Sequence, residues 1–140
     1  MWREIVAAYP EARAATPADP AALDRAEAGL GQRLPPGLRA LLLECDGVVG
    51  QTGEDVVWSA ARILDDNLAF RRTPAFRSLY MPFEPLMFFG DDGGGDQFAF
   101  VRVPERDHDV FVWDHETDSR SFVAGNLEAY LRHALDPEEF

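Results

Sequence analysis

The sequence contains no lysine and only one cysteine, and both features limit the class of protein to which it can belong. All 13 basic residues are arginine, and 25 acidic residues give a formal net charge of -12. Such an acidic surface repels the phosphates of nucleic acids and anionic membranes, so we expect no nucleic-acid or membrane partner. It favours association with a basic protein instead. One cysteine excludes an intramolecular disulfide and a multi-cysteine zinc site.

Motifs of secretion, membrane insertion and catalysis are missing as well. The segment "MWREIVAAYPEARAA" lacks the basic stretch and long apolar run of a signal peptide, and no run is long enough to span a membrane, so we expect a cytoplasmic protein. Nucleophile-elbow, HExxH and P-loop patterns are absent, so we expect neither enzymatic activity nor a cofactor. Cys45 lies in an apolar helical run with no histidine nearby in sequence, which favours a buried, inert thiol.

The first half of the chain predicts helices. Hydrophobic residues make up 46% of the 140 residues, which is typical of a globular protein, and we assign residues 1–140 to a single domain. One helix begins after the N-cap residue Asp19 and ends at Gly31, and another follows in "LPPGLRALLLECDG". A short strand in "DVVWSA" precedes a helix in "ARILDDNLAFRR". Two prolines interrupt "FRSLYMPFEPL", which favours a loop there.

The last third predicts an antiparallel meander followed by a helix. The strand-forming runs "LMFF" and "QFAFVRV" flank a glycine-rich segment, and "DVFVWDHETDSRSFVA" predicts a second hairpin. Gly125 and Asn126 then precede a final helix, "LEAYLRHAL". N-terminal helices, a small antiparallel sheet meander and a C-terminal helix define an α+β fold. The strands are apolar on both faces, so helices or loops must cover the second face, or a partner must.

The stretch "MFFGDDGGGDQFAF" (residues 87–100) is open to three interpretations. A calcium loop of the EF-hand type needs an acid at position twelve, but counted from Asp91 that position is Arg102. A phosphate cradle needs a lysine and a following helix, and the aspartates would repel the anion. A turn fits, because glycines permit positive φ and aspartates accept hydrogen bonds from backbone N–H groups. We predict a turn, with an adventitious cation site as the alternative.

Histidines and acids lie close together in "DHDVFVWDHETD", which raises the alternative of a metal site between His108 and Asp118. On a continuous strand, however, His108 and His115 point to opposite faces and their Cα atoms lie roughly 23 Å apart at about 3.3 Å per residue. They cannot share an ion on that strand. We therefore predict that they occupy polar ends of a hairpin, and that His133 lies on the surface of the last helix.

Acidic residues cluster in the predicted turns and strand ends of the second half. Alternate turns of a meander lie at the same end of the sheet, so part of this set can form one acidic rim. Such a rim is either solvated surface or a binding face for a cationic protein. The members are Asp91, Asp92, Asp96, Glu105, Asp107, Asp109, Asp114, Glu116 and Asp118.

Four segments, in order, resemble the SUKH superfamily of Smi/Knr-like domains over about residues 21–135. "LGQRLPPGLRALLLECDGVV" is similar to the entry helix of that family, with Leu38 where an aromatic is frequent and Asp46 where asparagine is frequent. "DVVWSAARILDDNLAFR" is similar to its strand and helix, and "MFFGDDGGGDQFAF" to its glycine/aspartate turn. "VFVWDHETDSRSFVAGNLEAYL" is similar to its closing hairpin and helix. Each motif alone is weak, and their order is the specific feature.

The resemblance implies a non-enzymatic protein-binding domain. Bacterial members are often immunity proteins that neutralise polymorphic toxins, many of them nucleases, and fungal relatives are regulatory interaction proteins. A regulatory or scaffold role is therefore the first alternative, and a metal-dependent enzyme the remote one. The resemblance assigns structural motif roles, and these fall on Leu34, Pro35, Gly47, Gly90, Gly94 and Asp96.

An acidic immunity protein would suit a basic nuclease toxin, because the substrate of a nuclease is polyanionic. We predict that partner binding involves four acids at the rim, Asp91, Asp92, Asp114 and Glu116. Trp58 or Trp113 would be aromatic anchors in that interface, with a core position as the alternative for each. The sequence defines neither the partner's identity nor an oligomeric state.

Overall fold

The structure, a computed structural model, describes residues 1–136. Within this part the chain forms six helices and seven strands. Helices α1 to α6 span Trp2–Ala7, Pro20–Leu30, Pro36–Glu44, Ala60–Arg72, Pro74–Leu79 and Leu127–Leu135. Strands β1 to β7 span Arg13–Ala14, Val48–Val49, Asp55–Val57, Leu86–Asp91, Gln97–Arg102, Glu105–Trp113 and Arg120–Ala124. The predicted α+β fold, with its C-terminal helix, is confirmed.

The strands form two antiparallel sheets. Strands β4, β5, β6 and β7 are neighbours in chain order, which is the predicted meander. Strands β1, β2 and β3 form a second, smaller sheet. The sequence predicted β3 but not β1 or β2. A strand of two residues is too short to show the period-two alternation by which strands are recognised.

Local capping residues fix both ends of α2 and the start of α6 as predicted. Asp19 Oδ1 accepts a hydrogen bond from Ala21 N at 2.9 Å to begin α2, and Gly31 ends it with φ of 64°. Asn126 Oδ1 accepts from Ala129 N at 2.7 Å at the start of α6. Helix α5 contradicts the predicted loop. Pro74 is its first residue, where a missing N–H costs nothing, and the two prolines that suggested a loop follow the helix.

Helices pack on both faces of the meander. On one face the ring of Phe70 from α4 packs against Phe88 and Trp113, with centroids 5.2 and 5.9 Å away. On the other, Tyr130 from α6 packs against Phe89 at 5.1 Å. Coverage within the chain, one of the two predicted alternatives, therefore holds for these strands. On β7 the coverage is partial, since Ala124 is buried whereas Phe122 is 61% exposed.

The sulfur of Cys45 is buried at the end of α3, as predicted. Burial raises the pKa of its thiol, because the thiolate would lose its hydration, and the neutral thiol is the less nucleophilic form. No helix within residues 1–136 has both the length and the apolar character that crossing a membrane requires.

A buried asparagine joins α4 to the edge strand β4. Asn67 is 1% exposed, and its side-chain amide donates to Phe88 O at 2.8 Å while its carbonyl oxygen accepts from Phe88 N at 2.8 Å. The amide also donates to Ile63 O at 2.6 Å. The side chain thereby takes the place of a neighbouring strand for Phe88 and satisfies both of its backbone groups.

Strand β4 also approaches β3 very closely. Trp58 N, just after β3, donates to Phe89 O at 2.7 Å. A Cβ built on Gly90 would collide with the Val56 carbonyl oxygen and lie 2.9 Å from its carbon. That oxygen accepts a 2.6 Å hydrogen bond from the buried Tyr130 hydroxyl. Gly90, one of the glycines assigned by resemblance, thus permits a contact between two backbones.

Candidate protein-binding surface

Two turns of the meander meet at one end of the sheet. The glycine turn, residues 92–96, joins β4 to β5, and the second turn, residues 114–119, joins β6 to β7. Asp96 Oδ1 accepts hydrogen bonds from His115 N at 3.2 Å and from His115 Nδ1 at 2.7 Å. The residues of this acidic end are Asp91, Asp92, Asp96, Asp114, Glu116 and Asp118.

The remaining acids of the predicted cluster lie in β6, near its start. Buried Arg102 pairs there with Asp107 at 3.1 Å and with Glu105 at 3.5 Å. Because β6 runs away from this point toward the second turn, these acids belong to the opposite end of the sheet from the acidic end. The predicted set of acids is therefore divided between the two ends of the sheet.

The glycine turn has the conformation expected of a turn. Gly93 and Gly95 have φ of 83° and 110°, in the region that side chains avoid. Asp91 Oδ1 accepts from Gly93 N at 2.9 Å, and Asp92 Oδ1 accepts from Gly94 N at 2.8 Å. A Cβ on Gly94 would meet its nearest neighbour at an ordinary 3.5 Å. Positive φ thus falls on the glycines flanking Gly94.

Asp91, the residue directly before the glycine turn, is held by a buried tryptophan. Trp58 Nε1 donates to Asp91 Oδ2 at 2.8 Å, and Arg62 pairs with the same oxygen at 3.1 Å. Arg62 also pairs with Asp55 at 2.8 Å and Asp66 at 3.0 Å, and its guanidinium lies 4.2 Å from the Trp58 ring centroid. The Asp91 carboxylate is therefore already hydrogen-bonded and ion-paired to residues of the same chain.

The second turn has the same kind of attachment. Trp113 Nε1 donates to Asp118 Oδ1 at 2.7 Å, and Asp118 Oδ2 accepts from Met81 N at 2.9 Å. Burial alone would raise the pKa of Asp118, but these hydrogen bonds and Arg120 outweigh it and lower that pKa. Asp118 also has φ of 59°, which aspartate tolerates better than most residues.

These contacts separate the predicted partner-binding residues into those that are buried or hydrogen-bonded within the fold and those that face solvent. Trp58 and Trp113 are 1% and 3% exposed, so both indoles lie in the core, the alternative considered for each. Asp114 Oδ1 accepts from Glu116 N at 2.8 Å and Asp114 is half-buried. Asp92 is exposed, and the Glu116 side chain is 80% exposed. Asp92 and Glu116 are thus the two predicted acids that face solvent.

A cleft of about 610 Å³ lies beside the glycine turn. Its walls come from the loop after β2, the end of β4, Phe98 of β5 and the C-terminal end of α6. Glu54, Asp91, Asp92 and Asp136 contribute carboxylates to the lining. Sequence reasoning missed Glu54 and Asp136, because they lie far from the glycine turn in the chain and only the fold brings them there.

Three potential metal ligands also meet between the two turns. Ligand atoms of Asp96, Asp114 and His115 lie within 4.8 Å of one another. Asp96 comes from the other hairpin, so this cluster differs from the metal site considered between His108 and Asp118. His108 is exposed on β6 and contributes nothing to the cluster. The 2.7 Å hydrogen bond between His115 and Asp96, together with the position of Asp114 next to His115 in the chain, accounts for the proximity.

The pKa of His115 is expected to lie above the ordinary histidine value. The hydrogen bond from Nδ1 to Asp96 is the main cause, and the nearby charges of Glu116 and Asp114 add to it. The contact therefore stabilises the paired turns fully below the unfolded-state pKa of histidine, and this contribution is lost as pH rises through the higher folded-state pKa. NMR titration of the His115 ring checks this, and Asp96→Asn should lower the midpoint. An unchanged midpoint in that variant would contradict the assignment.

The other motif positions lie in the core or at its edge. Leu34 is 4% exposed, and its N–H donates to Glu27 Oε2 at 2.8 Å. Pro35 is the N-cap residue of α3. Gly47 has φ of 119°, and a Cβ there would lie 3.3 Å from Val57 O. These positions support the packing of α3 and β3, and none of them lies in the two turns of the acidic end.

The architecture is that of an α+β domain in which helices enclose an antiparallel meander and two linked turns present carboxylates. A model of the SMI1/KNR4 family (SUKH-1) matches residues 17–133. The chain therefore belongs to the SMI1/KNR4 family, as its four ordered motifs predicted. Domains of this family are generally binding or immunity domains rather than enzymes. A search of curated proteins found no match to the chain.

Proposed function

We propose that the protein is an immunity protein, which binds and neutralises a basic toxin domain of the nuclease type in the cytoplasm. The observation that carries the proposal is the junction of two turns that leaves Asp92 and Glu116 exposed beside internally paired acids. Membership of the SMI1/KNR4 family and the net charge of -12 support it. A protein that must recognise phosphates is basic, and its inhibitor gains from the opposite charge.

The acidic end suits such a partner in two ways. Exposed carboxylates steer a cationic protein toward the surface and raise its association rate, most strongly at low salt. The acidic cleft beside them has Phe98 and Leu135 among its apolar lining residues, so it fits a long cationic side chain with an apolar stem. A partner arginine or lysine in this cleft would be withdrawn from the nuclease's own phosphate-binding surface.

The test pairs the protein with a candidate toxin, chosen as the C-terminal domain of a large secreted protein where a neighbouring gene encodes one. We expect co-expression to rescue cells, and Asp92→Lys with Glu116→Lys to weaken binding about tenfold, mainly through slower association. Reversal of Asp91 is avoided, because it would also remove the acceptor of the Trp58 indole and one of the three acids that pair with Arg62. The matched control is Glu4→Lys with Glu11→Lys, an equal change of charge at exposed N-terminal residues.

The possible outcomes separate function from surface. Rescue together with an unchanged affinity in the Asp92 and Glu116 reversals would retain the immunity function and reject the acidic end as the binding surface. Equal losses in the control pair would show that net charge matters and location does not. No rescue by the wild-type protein, with a stable complex to a cellular protein instead, would favour the regulatory or scaffold alternative.

A further inference from the structure

A second cavity, of about 270 Å³, lies where α4, α5 and the loop after α5 meet. It shares no lining residue with the acidic cleft. Four aromatic side chains line it: Phe70, Phe76, Tyr80 and Phe83. The Phe70 and Phe76 rings stack with centroids 5.2 Å apart, and Tyr80 meets Phe76 edge-on at 5.6 Å. Such walls suit a flat apolar group.

A buried arginine also lines this cavity. Arg71 is 9% exposed, and its guanidinium donates to the carbonyl oxygens of Leu30 at 3.3 Å and Leu86 at 2.9 Å. It also donates to Gln32 Oε1 at 2.7 Å, but its Nε has no hydrogen-bond acceptor within the described residues. Burial lowers the pKa of Arg71, because the charged form is desolvated, and Glu84 offsets part of this effect.

Comparison with the second buried arginine makes this arrangement informative. Arg102 forms ion pairs with two carboxylates, Glu105 and Asp107, whereas Arg71 forms none with any carboxylate in residues 1–136. A buried charge without a direct ion pair is costly, and so it requires a reason. Three neutral acceptors orient the Arg71 side chain, and Glu84 offsets its charge only from beyond ion-pair distance.

A second guanidinium lies at the same cavity. Arg77 from α5 donates to Arg71 O through Nε at 3.3 Å and through a terminal nitrogen at 3.2 Å, and it is exposed. With the one carboxylate of the lining, Glu84, the cavity carries a net charge of about +1 in a strongly acidic chain. The two arginines make part of the cavity cationic, and the aromatic rings give it flat apolar walls.

We propose that this cavity binds a carboxylate attached to an aromatic ring, with the ring against the wall formed by Phe70, Phe76 and Phe83 and the carboxylate facing Arg71 and Arg77. The anion would supply the direct ion pair that Arg71 does not form with Glu84, and guanidinium groups pair well with carboxylates. The ligand is either a free aromatic acid or a chain end that carries a phenylalanine. The inference does not depend on the proposed toxin binding.

The test is an NMR titration of the full chain with benzoate and, in parallel, with neutral benzamide of the same shape. We expect benzoate to produce saturable shifts in residues 70–84 and in the Trp113 indole, whose ring lies 5.3 Å from Tyr80 and Phe83. Benzamide should bind about tenfold more weakly, because it lacks the charge. A peptide ending in Gly-Gly-Phe, with a free or an amidated terminus, distinguishes a chain end from a small molecule.

Variants locate the site without disturbing the core. Arg77→Gln should weaken benzoate binding about tenfold. Arg72→Gln is the matched control, since Arg72 is exposed on the same helix as Arg71 and does not line the cavity. Tighter binding of the free-carboxylate peptide than of benzoate would assign the site to a peptide, and the reverse to a small acid. Shifts that never saturate, equal binding of benzamide, or equal effects of the two variants would overturn the proposal.

Discussion

Replacing Asn67 by leucine is expected to lower the free energy of unfolding by about 2–5 kcal/mol, although the two side chains are similar in size. The loss arises because the N–H and C=O of Phe88 would be buried with no partner on their outer side. Each such orphaned group costs about 1–3 kcal/mol. An apolar side chain regains part of this by packing, but it cannot hydrogen-bond the edge of β4.

Chemical denaturation followed by circular dichroism measures this effect. Asn126→Ala is the control, because it removes an asparagine that caps α6 at an exposed position and should cost only about 1 kcal/mol. Asn67→Asp should also destabilise strongly, since a carboxylate would face the carbonyl oxygens of Ile63 and Phe88. If Asn67→Leu cost no more than Asn126→Ala, the link between α4 and β4 would not be the one described.

Gly90→Ala is expected to cost about 3 kcal/mol, at the upper end of overpacking effects. The added methyl group would collide with the backbone of Val56, and a backbone has no rotamer by which to move aside. The Tyr130 hydroxyl, bonded to Val56 O at 2.6 Å, holds that carbonyl from a second direction and lies 3.0 Å from the added carbon. Relief would therefore require β3 or β4 to shift.

Gly94→Ala is the matched control for this prediction. The same methyl group there would meet only ordinary contacts, and Gly94 has no positive φ, so the free energy of unfolding should change by less than about 0.5 kcal/mol. Thermal denaturation of both variants, at the same pH and salt, gives the comparison. Similar melting temperatures for the two would contradict the close approach of β3 and β4.

Features that depend on neighbouring residues in the chain could be predicted from the sequence. Asp19, Gly31 and Asn126 act on the helix next to them, so the chain itself shows the start or end. The meander followed from strand-like runs joined by short turns, and it placed the two turns at one end. Helix α5 was missed because Pro82 and Pro85 suggested a break, whereas they lie just beyond it.

The roles of individual acids could not be predicted in the same way. Asp91 is hydrogen-bonded by Trp58, 33 residues away, and Asp96 by His115, 19 residues away. Only the fold brings these partners together. Arg62 pairs with three acids, of which only Asp66, four residues later in α4, has a spacing that the sequence shows, whereas Asp55 and Asp91 lie on other elements. In a sequence with 25 acidic residues, an acid that faces solvent cannot be distinguished from one whose carboxylate is hydrogen-bonded within the fold.

The two hydrogen bonds from buried indoles have an evolutionary consequence. Trp58 holds Asp91, which directly precedes the glycine turn, and Trp113 holds Asp118 in the second turn. Asp92 and Glu116 face solvent and contribute less to the stability of the turns. Exposed substitutions of this kind usually change stability by less than about 0.5 kcal/mol. Under the proposed function, lineages could therefore exchange the exposed residues as the partner diverges, while the indole–aspartate pairs preserve the scaffold that presents them.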